Sequence, residues 1–199
     1  MNIVIIKYNA GNIESVNNAL MRLGVSAEVT DDHSKIIAAD KVIFPGVGEA
    51  STTMAYLKEH KLDQVIKNLK QPVLGICLGQ QLMCAHSEEG DVECLGIFDE
   101  KVKLFIPEPG QEFITKVPHM GWNNIHTLTS AILTPDLENQ FVYFVHSYYV
   151  EVGEHTAATC DYINPFSAAL HKDNFYATQF HPEKSQKVGA KILENFLKI

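Results

Sequence analysis

Arginine is almost missing from this chain. Arg22 is the only one among 199 residues, so multi-arginine recognition of phosphate groups is excluded. Basic residues are also the minority, 16 Lys and Arg against 24 Asp and Glu, for a formal charge of −8. That balance argues against nucleic acid or an anionic membrane as a partner. No apolar run approaches the roughly 18 residues of a membrane span, and the first residues lack a signal-peptide layout. The expectation is therefore a cytoplasmic protein. Cysteine is sparse: Cys77, Cys84, Cys94 and Cys160 form no C-x-x-C pair and no disulfide framework. There is no repeat, low-complexity tract or linker, so a single domain over residues 1–199 is expected.

What is present is an ordinary globular composition, 46% hydrophobic. "NIVIIKY" (2–8), "VSAEVT" (25–30), "KVIFPG" (41–46) and "PVLGIC" (72–77) read as strands. Ile13, Val16, Leu20 and Leu23 recur at helical spacing with Gly24 as a C-cap, and helical segments are predicted near 49–60 and 62–70. Strands alternating with helices imply a parallel sheet covered on both faces. Beyond about residue 90 the texture shifts to short strands split by turn residues, which suggests added antiparallel pieces and completion of the main sheet. A helix over roughly 185–198 closes the chain. The expected fold is α/β: an open, mostly parallel sheet flanked by helices, with added antiparallel strands.

Three stretches carry chemistry. In "GICLG" (75–79) a cysteine stands at a strand-to-helix turn between two glycines. Such a turn holds a nucleophile in a strained conformation where bulky neighbours would clash, as in the G-x-S-x-G elbow. The following helix start would favour the Cys77 thiolate and aim the Leu78 N–H at a developing oxyanion. The plain alternative is a buried cysteine with incidental turn glycines. Cys84, seven residues on and inside the same predicted helix, reads as core. "TQFHPEKS" (178–185) supplies His181 as a base and Glu183 as its orienting partner, against the plain reading of a surface His and Glu. "FPGVGEA" (44–50) has glycines on both sides of Val47, which suits a loop of backbone N–H donors, or a simple turn. It lacks the Walker phosphate-loop pattern.

Together, Pro45–Gly48, Gly75–Gln81 and His181–Glu183 resemble the triad, or class I, glutamine amidotransferases. "PHMGWN" (118–123), "YFVHSYY" (143–149), "FHPEKS" (180–185) and "AGN" (10–12) look like the branch that serves as glutaminase subunit of imidazole glycerol phosphate synthase. One departure is Lys7-Tyr8-Asn9-Ala10, where the family commonly begins Asp-Tyr-Gly. The resemblance implies that Cys77 attacks the carboxamide of glutamine and that N–H groups of Leu78, Val47 and Gly48 hold the oxyanion. It further implies that His181, oriented by Glu183, moves the protons, and that Gly48, Gln81, Ser147 and Tyr148 hold glutamine. Ammonia would pass to a separate cyclase subunit in histidine biosynthesis, with no cofactor and no metal. His119, His126 and His146 have no cysteine or carboxylate at ligand spacing around them and read as structural. Trp122, the only tryptophan, and Lys184 become candidates for the cyclase interface. Rival readings are a subunit supplying ammonia for anthranilate synthesis, a cysteine peptidase or γ-glutamyl hydrolase, and an inactive binding module.

Overall fold

The structure, a computed structural model, describes residues 1–8, 12–110, 113 and 115–199. Ala10 and Gly11 of the early "AGN", Asn9 and Ala10 of the Lys7–Ala10 departure, and Gln111, Glu112 and Ile114 lie outside the described residues.

The first half alternates strand and helix: β1 (Ile3–Ile6), α1 (Ile13–Arg22), β2 (Glu28–Thr30), α2 (His33–Ala38), β3 (Lys41–Gly46), α3 (Ala50–Glu59), α4 (Leu62–Lys67), β4 (Val73–Cys77) and α5 (Leu78–Met83). The second half is strand-rich: β5 (His86–Ser87), β6 (Val92–Glu93), β7 (Lys101–Leu104), β8 (His119–Asn124), β9 (Phe141–His146), β10 (Tyr148–Val150), β11 (Thr156–Asp161), β12 (Pro165–Lys172) and β13 (Phe175–Thr178). It ends with α6 (Gln186–Lys198).

The main sheet runs β11-β12-β13-β4-β3-β1-β2 among the described residues. From β13 to β2 all pairings are parallel, and β12 and β11 extend the sheet antiparallel. The strands β1, β3 and β4 are buried along their whole length, because helices cover both faces of a parallel sheet. Alternate residues of β1 serve opposite faces. Ile3 and Ile5 join one core with Leu20 of α1 and Phe196 of α6, whereas Val4 and Ile6 join a second with Ile36, Leu57 and Leu82. A smaller sheet, β10-β7-β5-β6, and the hairpin β8–β9 sit beside the main sheet.

The α1 expectation holds: Val16 and Leu20 are fully buried, Ile13 and Leu23 pack at the margin, and Gly24 takes φ 76° after the helix. Two local differences stand out. Helix α2 goes unforeseen in the sequence; its six residues are too few for a periodic signal, and its start is fixed by Asp32 accepting the Ser34 and Lys35 N–H groups at 2.8 and 3.3 Å. Cys84 follows α5 and does not lie inside it, since the helix ends at Met83 and the chain turns extended; the cysteine is nevertheless completely buried.

The consequence for function lies in strand order. β3, β4 and β13 are neighbours, so the chain beyond their carboxyl ends brings together 47–49, 77–78 and 179–183, which are far apart in sequence. In open α/β sheets this is where ligands bind.

Candidate active site

Cys77 closes β4 and has φ 55° and ψ −108°, a backbone conformation that costs a non-glycine residue about 1–3 kcal/mol. The strain is sustained by close packing around it. A Cβ on Gly79 would stand 1.9 Å from the Phe44 carbonyl oxygen, and one on Gly75 would stand 3.0 Å from both the Gly79 carbonyl carbon and the Met83 sulfur. Both glycines of the elbow are therefore required by the approach of α5 to the sheet. Gln179 donates to the Cys77 Sγ at 3.7 Å.

His181 and Glu183 are almost wholly buried, and His181 Nδ1 lies 2.7 Å from Glu183 Oε1. A carboxylate accepts only, so Nδ1 carries the hydrogen and a neutral ring keeps its lone pair on Nε2. Nε2 is buried and has no hydrogen-bond partner among the described residues, while the ring as a whole interacts electrostatically with Cys77. Burial alone would lower the imidazole pKa. The Cys77 and Glu183 interactions outweigh it and lift the ring to about 10, which favours an imidazolium. The segment is fixed from behind: His181 N–H donates to the Tyr143 carbonyl at 2.9 Å, and the buried Ser185 hydroxyl donates to the His181 carbonyl at 2.6 Å and accepts the Tyr143 N–H at 3.0 Å.

Val47, Gly48, Leu78, Gln81, Ser147 and Tyr148 surround Cys77 in a cavity of about 330 Å³. Gly48 has φ 132°, and a Cβ there would meet nothing within 4 Å. Gln81 Nε2 bridges the Tyr148 carbonyl and Gln179 Oε1, each at 2.9 Å. A larger groove of about 630 Å³, between His86, Lys101 and Gly153, contains none of these groups.

Sequence reasoning missed four contributors. Asn12, at φ 73°, donates to Glu183 Oε1 from its amide and so extends the row of polar groups behind His181. Tyr8 hydrogen-bonds the Pro45 carbonyl at 2.5 Å, bracing the stem of the 47–48 loop. Glu89 lines the cavity and accepts the Ala50 N–H at 2.9 Å; burial, with Glu49 nearby, raises its pKa against that hydrogen bond. Ser185 had a signal, since it follows His-Pro-Glu-Lys directly, but only the fold shows what it holds.

Trp122 and Lys184 converge on Tyr143. The Trp122 ring meets it edge-on with centroids 5.9 Å apart, and the Lys184 ammonium lies 5.9 Å from its centre. Trp122 is 46% exposed, beside exposed Met120 and Phe141. Of the histidines read as structural, His126 pairs with Asp161 at 3.1 Å, while His119 and His146 are buried and hydrogen-bonded to each other.

The family described as glutamine amidotransferase class-I matches residues 4–199. The imidazole glycerol phosphate synthase subunit HisH of Bacteroides fragilis is 64% identical over 199 residues, covering 100% of both chains. That of Escherichia coli is 44% identical over 201 residues, again covering 100% of both. A crystal structure of a glutamine amidotransferase superposes with a TM-score of 0.73 at 16% identity, covering 98% of this chain and 97% of that one. A glutamine amidotransferase of Thermotoga maritima superposes at 0.62 with 14% identity, covering 100% and 83%. These two bear on the fold alone.

Proposed function

This chain belongs to the class I glutamine amidotransferases, and on that footing we propose that Cys77, His181 and Glu183 are its catalytic triad. Its activity is that of the glutaminase subunit of imidazole glycerol phosphate synthase, releasing ammonia from glutamine for histidine biosynthesis. The rival readings lose their support, because relatives 62–64% identical over nearly the whole length share that one name.

The observation that carries the site reading is a cysteine in a strained elbow lining a small cavity, with a buried His–Glu pair whose imidazole interacts electrostatically with it. The Cys77 thiolate attacks the glutamine side-chain carbonyl carbon, and the carbonyl electrons move onto oxygen. Backbone N–H groups of Leu78 and the Val47–Gly48 loop receive that oxyanion, each such donor contributing about 2.7–4 kcal/mol to the transition state. His181 gives its proton to the departing ammonia, leaving a γ-glutamyl thioester. It then takes a proton from water as the water attacks, and glutamate leaves. Glu183 holds the imidazole tautomer throughout. Gln81, Ser147 and Tyr148 border the substrate, and Glu89 offers its carboxylate to the α-ammonium of glutamine.

The partner reading is a heterodimer with a cyclase subunit docked on the face formed by Met120, Trp122, Tyr143 and Lys184. This face adjoins the triad, since the Tyr143 backbone bonds both His181 and Ser185. Among the described residues no helix is long and apolar enough to cross a membrane.

The test is glutamate release by this chain with the cyclase and its ribotide ligand, alongside affinity for the cyclase. Trp122→Ala should weaken association by about 2 kcal/mol, as buried aromatic anchors do, and Lys184→Ala by less. Unchanged affinity in both variants moves the interface elsewhere.

A further inference from the structure

We propose that the His119–His146 pair is a positioning unit, a hydrogen-bonded relay that fixes the Ser147–Tyr148 wall of the glutamine cavity relative to β8. The proposal deepens the glutaminase reading and rests on it.

The wall needs such a device because of where it lies. β9 ends at His146 in the hairpin, and β10 begins at Tyr148 in a different sheet, paired with β7. Ser147 is the corner between them. The Ser147 carbonyl accepts the Phe105 N–H at 3.0 Å, which ties the corner to β7, and side chains supply the ties to Gln81 and across to β8.

The bond directions at this corner follow from chemistry. The Tyr148 carbonyl can only accept, so His146 Nδ1, 2.7 Å away, bears a hydrogen. His119 Nδ1 lies 3.1 Å from His146 Nε2, and the two residues are directly opposed across the hairpin. If His146 is neutral, its Nε2 is an acceptor and His119 Nδ1 must donate to it. His119 Nε2 is then an acceptor too, facing the Asn123 amide at a long 3.5 Å. One arrangement satisfies every atom, with both rings neutral and both carrying hydrogen on Nδ1. A proton on either ring would set hydrogen against hydrogen or add a charge to an apolar nest. His119 stacks on Tyr162 and Phe144 at 4.0 and 4.9 Å, and Phe105 packs near both imidazoles. Burial accordingly pushes His119 down to about 4 and His146 to about 3, the latter also facing His181.

The relay ends on an atom that matters. The Tyr148 carbonyl that accepts from His146 also accepts from Gln81, whose amide reaches Gln179 and through it Cys77. At the other end, His119 and Asn123 flank Trp122 on β8 with inward-facing side chains, while Trp122 faces out. The pair therefore ties the cavity wall to the strand bearing the proposed docking face.

The test compares variants that separate hydrogen bonding from ring packing, in the full chain with its cyclase. His146→Phe keeps an aromatic ring and loses the donor. It should raise the glutamine KM about tenfold, the consequence of removing one of the two donors to the Tyr148 carbonyl, with kcat changed far less. His146→Asn places an amide N–H where Nδ1 stands and should recover most of the affinity despite the smaller side chain. The reverse order, Phe near wild type and Asn impaired, overturns the proposal. A second readout needs no activity: nitrogen-15 spectra of the imidazoles at pH 7 should show His119 and His146 both neutral and both protonated on Nδ1. Any other tautomer or an imidazolium refutes the relay even where the enzyme is active. If the wild-type complex fails to hydrolyse glutamine, the functional reading falls, and the spectra still decide whether the relay exists.

Discussion

Two regions bracket the same cavity and are held by different physics. On one side, the β4–α5 elbow is fixed by contact: backbone against backbone around Gly75 and Gly79, with no room for a methyl group. On the other, the β9–β10 corner is fixed by directional polar bonds among His146, Gln81 and the Tyr148 carbonyl. Close packing yields one position and resists change. A polar corner is just as specific while its partners stay satisfied, yet one lost donor releases it. A nucleophile that must sit in one strained conformation gains from the first, and a wall that must admit and release substrate gains from the second.

The comparison can be broken at the elbow first. Cys77→Ala should abolish glutamine turnover, on the order of 10⁴- to 10⁶-fold, since triad members act as a unit. Cys84→Ser should retain it, and cyclisation should persist when free ammonia is supplied to the complex. Glutamate release surviving in Cys77→Ala would end the mechanism. Next in size is Val47→Pro, which removes one N–H from the loop facing Cys77 and should lower kcat about 100- to 1,000-fold. A stopped assay for glutamate in the assembled complex measures both.

Gly79→Ala tests contact against polarity directly. Its new methyl would meet the Phe44 carbonyl at 1.9 Å, so folding should weaken by about 1–3 kcal/mol, read as a lower urea midpoint. A variant as stable as wild type would show that the elbow can relax. The smallest effect belongs to the corner and depends on pH. His119 and His146 are held neutral below the ordinary imidazole range, so the unfolded chain binds more protons than the folded one under mild acid. Their contribution is complete above about pH 6.5 and declines as pH falls towards 4. His181, raised by its partners, has the opposite sense, its contribution being lost only as pH rises towards about 10. Urea titrations between pH 7 and 4.5 should show a shallower acid loss in His119→Phe; an identical slope would mean the pair does not titrate as described.

The sequence displayed the contact-held region far better than the polar one. The elbow announces itself because tight approach demands glycine at fixed offsets from Cys77, and parallel strands buried on both faces read as continuous apolar runs. The polar wall leaves no such mark. His119 and His146 are 27 positions apart, and nothing local distinguishes a histidine bonded to another from an isolated one in the core. Asn12, Tyr8 and Glu89 escaped for the same reason, since their partners come from other elements. Helix α2 and the early end of α5 escaped because segments of six residues hold too few turns for periodicity to speak.

Gly48 has one more consequence. Its Cβ would enter open space, so size is not what demands glycine there; the sign of φ is. The position is selective for chirality and indifferent to bulk. A D-alanine installed at 48 by semisynthesis would find its favoured backbone region and should leave the loop intact, whereas L-alanine would have to be forced into it. Two mirror-image methyl groups of identical volume would thus give opposite outcomes, and the loop would act as a stereochemical sensor of its own sequence.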